Sequence, residues 1–126
     1  MNGNKFLFDS NILIYLSKGL LDAKTFTNKE DIPYVSVITY MEVMGYHFKN
    51  KNEENFMNQF CAGAYIIPLN DDIVTKVIEL RKKHKVKLPD AIIAATAIEN
   101  KLKLLTRNTG DFKNIPKLNL FNPFKN

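Results

Sequence analysis

The segment "KFLFDSNILIYL", residues 5–16, decides the fold of this chain. Its first part, "KFLF", is typical of a short buried β-strand, and "SNILIYLS" has the apolar content of a helix that follows at once. Asp9 stands between the two, directly after the strand. In an open parallel sheet, the ligand crevice lies outside the carboxyl ends of the strands. Asp9 therefore occupies the edge at which such a sheet would bind its ligand.

The rest of the chain repeats this alternation of strand and helix. We predict further strands at "PYVSV", "YIIPL", "KLLT" and, as a fifth, "LNLF". We predict helices at "LLDAKTF", "ITYMEVMGYHF", "NEENFMNQFCAGA", "NDDIVTKVIELRKKHK" and "PDAIIAATAIEN". Apolar residues cover most of the circumference of "ITYMEVMGYHF" and nearly all that of "PDAIIAATAIEN", so we expect the latter to be interior. The pattern predicts an α/β fold with a mostly parallel four- or five-stranded sheet and helices on both faces.

Length and composition indicate one globular domain over residues 1–126, with 45% hydrophobic residues to build a core. A total of 18 Lys and Arg against 13 Asp and Glu gives a formal net charge of +5, which favours a polyanionic partner such as nucleic acid or anionic lipid. The lone cysteine, Cys61, has no partner for an internal disulfide. Because we find neither a signal-peptide pattern nor a membrane-spanning apolar stretch, we expect a cytoplasmic protein without membrane association.

Four acidic residues stand where a sheet of this kind displays side chains. Asp9 follows the first strand, and Glu42 lies early in the helix after the second. Asp90 is near the start of "PDAIIAATAIEN", and Asp111 lies in the loop after "KLLT". Each has an ordinary structural explanation, namely a helix cap, an exposed helix edge, a match to the helix dipole and a turn, respectively. Three of them follow strands or open the elements after strands, so they can converge at one end of the sheet.

Converging carboxylates favour one kind of chemistry. Like charges a few ångströms apart raise one another's pKa unless a hard cation is bound between them. Oxygen ligands from Asp and Glu, without a His or Cys cluster, favour Mg²⁺ or Mn²⁺ over Zn²⁺. One or two such ions can deprotonate a water and neutralise the leaving oxygen of a phosphodiester, so cleavage needs no protein nucleophile.

Four motifs carry a resemblance to a known family. They are "FDSNILIYL", "SVITYMEV", "LPDAIIAATAI" and "LLTRNTGDF", in this order and spread over nearly the whole chain. The set resembles the PIN-domain ribonucleases, particularly the VapC-type toxins of bacterial and archaeal toxin–antitoxin pairs. The resemblance implies a three-layer α/β/α domain and an endoribonuclease that uses Mg²⁺ or Mn²⁺ to cleave single-stranded or loop regions of RNA.

The resemblance also implies roles for individual residues. Asp9, Glu42 and Asp90 resemble the first three acidic metal ligands of the family. The last acidic position falls at the place of Asn108 in some members and of Asp111 in others. We therefore take Asp111 as the fourth ligand and Asn108 as a polar or water-mediated neighbour. The supporting residues include two hydroxyl side chains that help to hold the ligands or the scissile phosphate, and a small polar residue of the first motif: Ser10, Thr106 and Asn11.

Partners follow from the same resemblance. It implies an RNA substrate, a homodimer, and a small antitoxin whose tail occupies the acidic groove, often with a basic side chain against the carboxylates. Two alternatives remain open. One is an RNA-processing PIN nuclease without an antitoxin, and the other is an RNA-binding module that keeps the fold but does not cleave.

Basic residues cluster just before Asp90, in "RKKHKVK". They either hold RNA phosphates or complement the dipole at a helix end. Arg107, beside the fourth acidic position, either contacts the substrate or braces its loop. With Trp absent and the Phe residues explained by a core, an aromatic platform for RNA bases has little support in the sequence. The candidates for RNA contact are Arg81, Lys82, Lys83, Lys85, Lys87 and Arg107, with Lys49 and Lys51 as weaker ones.

Overall fold

The computed structural model describes residues 5–124. The strands are β1 (Phe6–Phe8), β2 (Tyr34–Ser36), β3 (Tyr65–Ile67), β4 (Lys103–Leu105) and β5 (Leu120–Phe121). The helices are α1 (Ser10–Ser17), α2 (Val37–Met44), α3 (Lys51–Ala62), α4 (Asp71–Lys83) and α5 (Leu88–Glu99). Two short 3₁₀ turns cover Ala23–Thr25 and Thr109–Asp111. The ends of the predicted domain, residues 1–4 and 125–126, lie outside the described residues.

The five strands form one sheet in the order β3-β2-β1-β4-β5, with parallel pairing between neighbours. From β1 the chain first builds outward through β2 to β3, then crosses to place β4 on the other side of β1. Leu7 pairs with Leu104 and Phe8 with Leu105, so β1 and β4 end level with each other. In a doubly wound sheet, the crevice at such a reversal of strand order is the usual ligand site. The α/β prediction is confirmed.

Strand β1 separates two apolar layers because its side chains alternate between the faces of the sheet. Leu7 belongs to a core that includes side chains of α4 and α5, whereas Phe6 and Phe8 pack with side chains of α1 and α3 on the other face. Six residues of α5 are buried, as its nearly continuous apolar surface predicts. Within residues 5–124, no helix has the length and hydropathy to span a bilayer.

The segment "LLDAKTF" departs from its predicted helix. It contains only the 3₁₀ turn Ala23–Thr25, which Asp22 caps by accepting a hydrogen bond from the Lys24 N–H at 3.0 Å. The Thr25 and Thr27 hydroxyls donate to the carbonyls of Asp22 and Ala23 at 2.7 and 2.9 Å. Such local side-chain bonds to the backbone offer an alternative to continued helix.

Helix α2 corrects two expectations. It ends at Met44 rather than running to Phe48, because Gly45 caps it with a hydrogen bond from its N–H to the Met41 carbonyl at 3.0 Å. Glu42 therefore lies in the last turn and not early in the helix. Met41 and Met44 are 60% and 42% exposed, so the apolar surface of α2 is only partly covered by the chain.

Candidate active site

Asp9 is fixed at the carboxyl end of β1. Its backbone N–H donates to the carbonyl of Leu105 at 3.0 Å, which ties it to the end of β4. Asp9 is also the N-cap residue of α1, and its Oδ1 accepts a hydrogen bond from the Ser10 N–H at 2.8 Å. Only 6% of the residue is exposed. The sequence expectation of a helix cap is thus met by a carboxylate that stands at the switch point of the sheet.

A hydrogen-bond network joins the loop after β4 to this carboxylate. Asp9 Oδ2 accepts from Thr106 Oγ1 at 2.8 Å and from Asn11 Nδ2 at 3.1 Å. Thr106 is fully buried, and its Oγ1 also accepts from the Asn108 N–H at 3.1 Å. Because a buried polar group is costly unless it is paired, these bonds favour one orientation of the Asp9 side chain.

One open cavity of about 440 Å³ lies against this network. All four acidic candidates line it, although they come from four separate segments of the chain. Asp9 is buried, Asp90 is half-buried, and Glu42 and Asp111 are exposed. The predicted residues that line the cavity are Asp9, Ser10, Asn11, Glu42, Asp90, Asn108 and Asp111. Thr106 does not line the cavity, and it contacts the site through its hydrogen bond to Asp9.

Three of the acidic side chains at this cavity, those of Asp9, Glu42 and Asp90, have raised pKa values, chiefly because they are partly or fully buried. Burial raises the pKa of Asp9, and the charge of Asp111 adds to the rise, whereas the hydrogen bonds from Thr106, Ser10 and Asn11 oppose it. Partial burial of the carboxyl also raises the pKa of Glu42, and the charges of Asp9 and Asp90 act in the same direction. The Ser10 side chain lowers the pKa of Glu42 by hydrogen bonding.

Asp90 shows the same electrostatic pattern. Burial raises its pKa, and the charges of Asp111 and Asp9 raise it further. Lys87, at the N-terminus of the same helix, opposes this rise only as the smallest contribution. The three acids with raised pKa values therefore share a region with an excess of negative charge, which a bound cation would relieve.

The donor set fits Mg²⁺ or Mn²⁺ in its chemistry. Every candidate ligand at the cavity offers oxygen, from carboxylates, from the Ser10 hydroxyl or from the side-chain carbonyl of Asn108. Within residues 5–124, however, no three His, Cys, Asp or Glu side chains are already close enough together to hold an ion jointly. Mutual repulsion of carboxylates keeps such side chains apart without a cation. Three of the four acids are not fully buried, which leaves them room to move together.

Comparison with known proteins decides the family. A sequence model of the PIN domain matches residues 6–118, which is nearly the whole of this chain. The chain belongs to the PIN-domain family. The motif resemblance found in the sequence is thereby confirmed.

The chain is also similar to several individual proteins. Ribonuclease VapC from Rickettsia bellii is 28% identical to this chain, over 89% of this chain and 91% of that protein. A chain in a toxin–antitoxin complex from Klebsiella pneumoniae is 40% identical, with a TM-score of 0.78, over 97% of this chain and 100% of that chain. The fold is also shared with VapBC2 from Rickettsia felis, solved bound to a promoter DNA fragment, at 23% identity and a TM-score of 0.76, over 93% of this chain and 97% of that chain.

A second cavity, of about 430 Å³, adjoins the acidic one in this PIN domain. Asp90 and Asp111 line both cavities, and Lys83, Lys85 and Lys87 line the second. The other predicted basic residues do not line either cavity. Arg81 braces its own loop, since its Nε donates to the Val86 carbonyl at 3.3 Å. The basic candidates that line neither cavity are Arg81, Lys82, Arg107, Lys49 and Lys51.

Sequence reasoning missed part of the cavity wall. Tyr15 and Lys18 of the α1 segment and Tyr46 after α2 line the acidic cavity. Asn11, Tyr15 and Lys18 are spaced i, i+4 and i+7, which places them on one face of the helix that Asp9 opens. This spacing was the available signal. Lys18 is held at the wall by an ion pair between its Nζ and Glu53 Oε1 at 3.2 Å.

Proposed function

We propose that this protein is an endoribonuclease that requires Mg²⁺ or Mn²⁺ and acts as the toxin of a toxin–antitoxin pair. The observation that carries the proposal is the convergence of Asp9, Glu42, Asp90 and Asp111 on one cavity at the switch point of the sheet. Two comparisons support it: a curated relative is a ribonuclease of the VapC type, and a chain 40% identical was solved in a toxin–antitoxin complex.

The four acids would hold the divalent ion, with Asn108 as a direct or water-mediated neighbour. When bound, such an ion supplies Lewis-acid chemistry for phosphodiester hydrolysis, because it makes a water more acidic and offsets charge on the leaving oxygen. Asp9 is the fixed member of the set, since its carboxylate is buried and already accepts three hydrogen bonds. The more exposed acids complete the set around it.

Residues beside the acids would orient the RNA. Ser10 is the first residue of α1, so its backbone lies at the positive end of the helix dipole, where phosphates bind favourably. Lys83, Lys85 and Lys87 border the second cavity, which continues from Asp90 and Asp111. A strand that crosses the acids would leave its neighbouring phosphates among these lysines, whose contribution is independent of sequence and sensitive to salt.

The cavity also has the properties expected of an antitoxin site. Among residues 5–124, its acids lack a strong cationic partner. The exposed side chains of Met41, Met44 and Tyr46 lie on or just after α2. A small partner with a basic residue and apolar neighbours would neutralise the first feature and cover the second. A cytoplasmic location and a homodimer stay predictions.

A cleavage assay tests the enzymatic proposal. We expect the purified protein to cut single-stranded RNA with Mg²⁺ or Mn²⁺ and not with EDTA. Asp90→Asn should lower the rate by about two orders of magnitude, as loss of one group that stabilises the transition state does elsewhere. Asp72→Asn is the matched control, because Asp72 also lies in the first turn of a helix but not at either cavity.

Two outcomes would contradict the proposal. If the wild type cuts no RNA with either ion, although it binds RNA, the protein is an RNA-binding module. If Asp90→Asn and Asp72→Asn cleave equally well, cleavage takes place elsewhere. The toxin role needs a separate test, in which a small protein encoded beside this gene is co-expressed and must co-purify and suppress cleavage; a nuclease with no such neighbour would be an RNA-processing enzyme.

A further inference from the structure

An aromatic and cationic cluster stands at the rim of the acidic cavity. The guanidinium carbon of Arg107 lies 4.4 Å from the ring centroid of Phe124 and 5.1 Å from that of Tyr15. The two rings are themselves 4.9 Å apart, with an angle of 69° between their planes. We call these three residues the Tyr15–Arg107–Phe124 platform. It joins helix α1, the loop after β4 and the segment after β5.

The platform is tied to the proposed catalytic residues on two sides. Tyr15 lines the acidic cavity one helical turn, about 6 Å, beyond Asn11. The Arg107 backbone N–H donates to Asn11 Oδ1 at 3.1 Å, and Asn11 Nδ2 donates to Asp9 Oδ2 at 3.1 Å. Its position relative to Asp9 is therefore set by direct hydrogen bonds and one turn of helix. A ligand on the platform would lie about one nucleotide from the acids.

The guanidinium of Arg107 in the platform is available to a ligand. Arg107 is exposed, and none of the ion pairs in the part of the chain that the structure describes involves it. Tyr15 and Phe124 are half-buried, so the rings are supported by the protein and still reach the surface. The rings hold the guanidinium by cation–π contact, which fixes its plane and leaves its hydrogen-bond donors unused by the described residues.

We propose that the Tyr15–Arg107–Phe124 platform stacks one unpaired nucleobase of the RNA beside the scissile phosphate. The inference rests on the proposed ribonuclease function and specifies how the same site holds its substrate. Unpaired bases stack on aromatic rings and on guanidinium planes, and they do so with little dependence on base identity because every base has a π-face. The preference for unpaired RNA would follow, since a base within a duplex cannot reach the platform.

The platform and the basic cavity both adjoin the acidic cavity. The platform borders the acidic cavity through Tyr15, and Lys83, Lys85 and Lys87 border the cavity that shares Asp90 and Asp111 with it. A single strand that crosses the acids would therefore place a base on the platform and leave neighbouring phosphates among the lysines. Removing one base from the RNA should therefore weaken the contact with the platform and leave the phosphate contacts with the lysines unchanged.

The test uses a short single-stranded RNA with a mapped cleavage site and matched RNAs that carry one abasic nucleotide at each position flanking that site. Arg107→Lys keeps the charge and removes the plane, and Phe124→Leu removes one supporting ring. Phe56→Leu is the control for the second change, since Phe56 stacks on Phe60 in α3 with ring centroids 5.9 Å apart and does not line the acidic cavity. Thermal unfolding of each variant checks that it is folded.

We expect the KM of the wild type to rise about tenfold or more, with little change in kcat, when the abasic nucleotide lies at one flanking position. Arg107→Lys should have a similarly raised KM on intact RNA, and its KM should rise hardly any further on that abasic RNA. Phe124→Leu should behave like Arg107→Lys but more weakly, and Phe56→Leu like the wild type. This pattern of non-additive losses is the signature of a contact between the base and the platform.

Three results would overturn the proposal. Equal KM values for the wild type and Arg107→Lys on intact RNA would mean that the platform does not bind substrate. If Arg107→Lys raises KM relative to the wild type by the same factor on intact and abasic RNA, Arg107 contacts a phosphate and not a base. Weaker antitoxin binding with unchanged RNA cleavage would assign the platform to the protein partner.

Binding of the same RNAs to Asp90→Asn, measured by fluorescence anisotropy, separates the inference from the function it rests on. If the wild type never cleaves, the ribonuclease proposal fails, and binding still decides whether the platform stacks a base. If Asp90→Asn and the double variant with Arg107→Lys bind intact RNA equally well, the platform proposal fails whether or not cleavage is found.

Discussion

Thr106 is the residue through which the loop after β4 controls the orientation of Asp9. Its hydroxyl donates to Asp9 Oδ2 at 2.8 Å and accepts from the Asn108 N–H at 3.1 Å, and the whole residue is buried. Replacing a residue that orients a metal ligand by a hydrogen bond commonly lowers metal affinity or activity by about 10- to 100-fold. Thr106 is thus a positioning residue for the proposed site.

We predict that Thr106→Val lowers metal-dependent RNA cleavage by about 10- to 100-fold and destabilises the protein by about 1–3 kcal/mol. Valine matches threonine in shape, but it leaves Asp9 without its shortest side-chain donor and the Asn108 N–H without its acceptor. The measurements are cleavage rate against Mn²⁺ concentration and unfolding in urea. Thr106→Ser keeps the hydroxyl and should retain most of the metal response. Equal Mn²⁺ dependence in Thr106→Val and the wild type would contradict this role.

Single residues also show how far the sequence could be interpreted. Asp9 was explicable either as a helix cap or as a ligand, and the structure shows that it caps α1 while lining the cavity. Glu42 was explicable either as an exposed helix edge or as one of the converging acids, and it is exposed in the last turn of α2 while lining the cavity. Local sequence does not tell which side of a helix the rest of the chain covers.

At the level of elements, helix α2 carries a buried polar atom that no other atom of residues 5–124 pairs with. Thr39 is fully buried, and its Oγ1 has no hydrogen-bond partner among the described residues. We predict that Thr39→Val raises the free energy of unfolding by about 1 kcal/mol, because an unpaired buried hydroxyl costs about 1–3 kcal/mol. The measurement is equilibrium unfolding in urea.

Thr96→Val in α5 is the matched control for this prediction. Thr96 is as buried as Thr39, but its Oγ1 donates to the Ile92 carbonyl at 2.7 Å. Its replacement should lower the free energy of unfolding by about 1 kcal/mol, the net value of an ordinary hydrogen bond. A loss of stability in Thr39→Val as large as that in Thr96→Val would show that the Thr39 hydroxyl is paired in solution.

The elements differ in how well their sequences predict them. Helix α5 is apolar on nearly all sides, and its buried position was predicted correctly because two layers must cover such a surface. Helix α2 is similarly apolar, but Met41 and Met44 remain exposed. Nothing in its composition distinguishes a face covered by the same chain from one that is left for a partner.

At the scale of the whole molecule, helix α4 offers a surface for the predicted homodimer. Val74 and Ile78 are one turn apart and are 38% and 52% exposed. We predict that Ile78→Glu converts the dimer to a monomer, as measured by sedimentation equilibrium, because burying the new charge in an interface is costly. Glutamate at this position faces Lys82 at i+4, which favours the helix.

Gln59→Glu on α3 is the control for added charge, since Gln59 is exposed on another helix. It should leave the dimer intact. A wild type that sediments as a monomer would refute the dimer prediction itself. A dimer that survives Ile78→Glu would place the interface elsewhere on the protein.

The convergence of the four acids follows from topology and was therefore predictable. Three of them follow strands or open the elements after strands, which was sufficient to expect them at one end of a parallel sheet, whereas the strand order that makes β1 and β4 neighbours was not predicted. The Tyr15–Arg107–Phe124 platform was not predictable in the same way. It depends on the segment after β5 returning to α1, and no periodic pattern marks a contact between residues so distant in sequence.

The central claim is that the four converging acids together form one binding site for a divalent cation. Titration of Mn²⁺ into metal-free protein, followed by the electron paramagnetic resonance signal of free Mn²⁺, tests it most directly. The account predicts that the wild type and Asp72→Asn deplete the free Mn²⁺ signal, and that Asp9→Asn, Asp90→Asn and Asp111→Asn each deplete it far less. A wild type that leaves all Mn²⁺ free, or three variants that bind it as tightly as the wild type, would contradict the account.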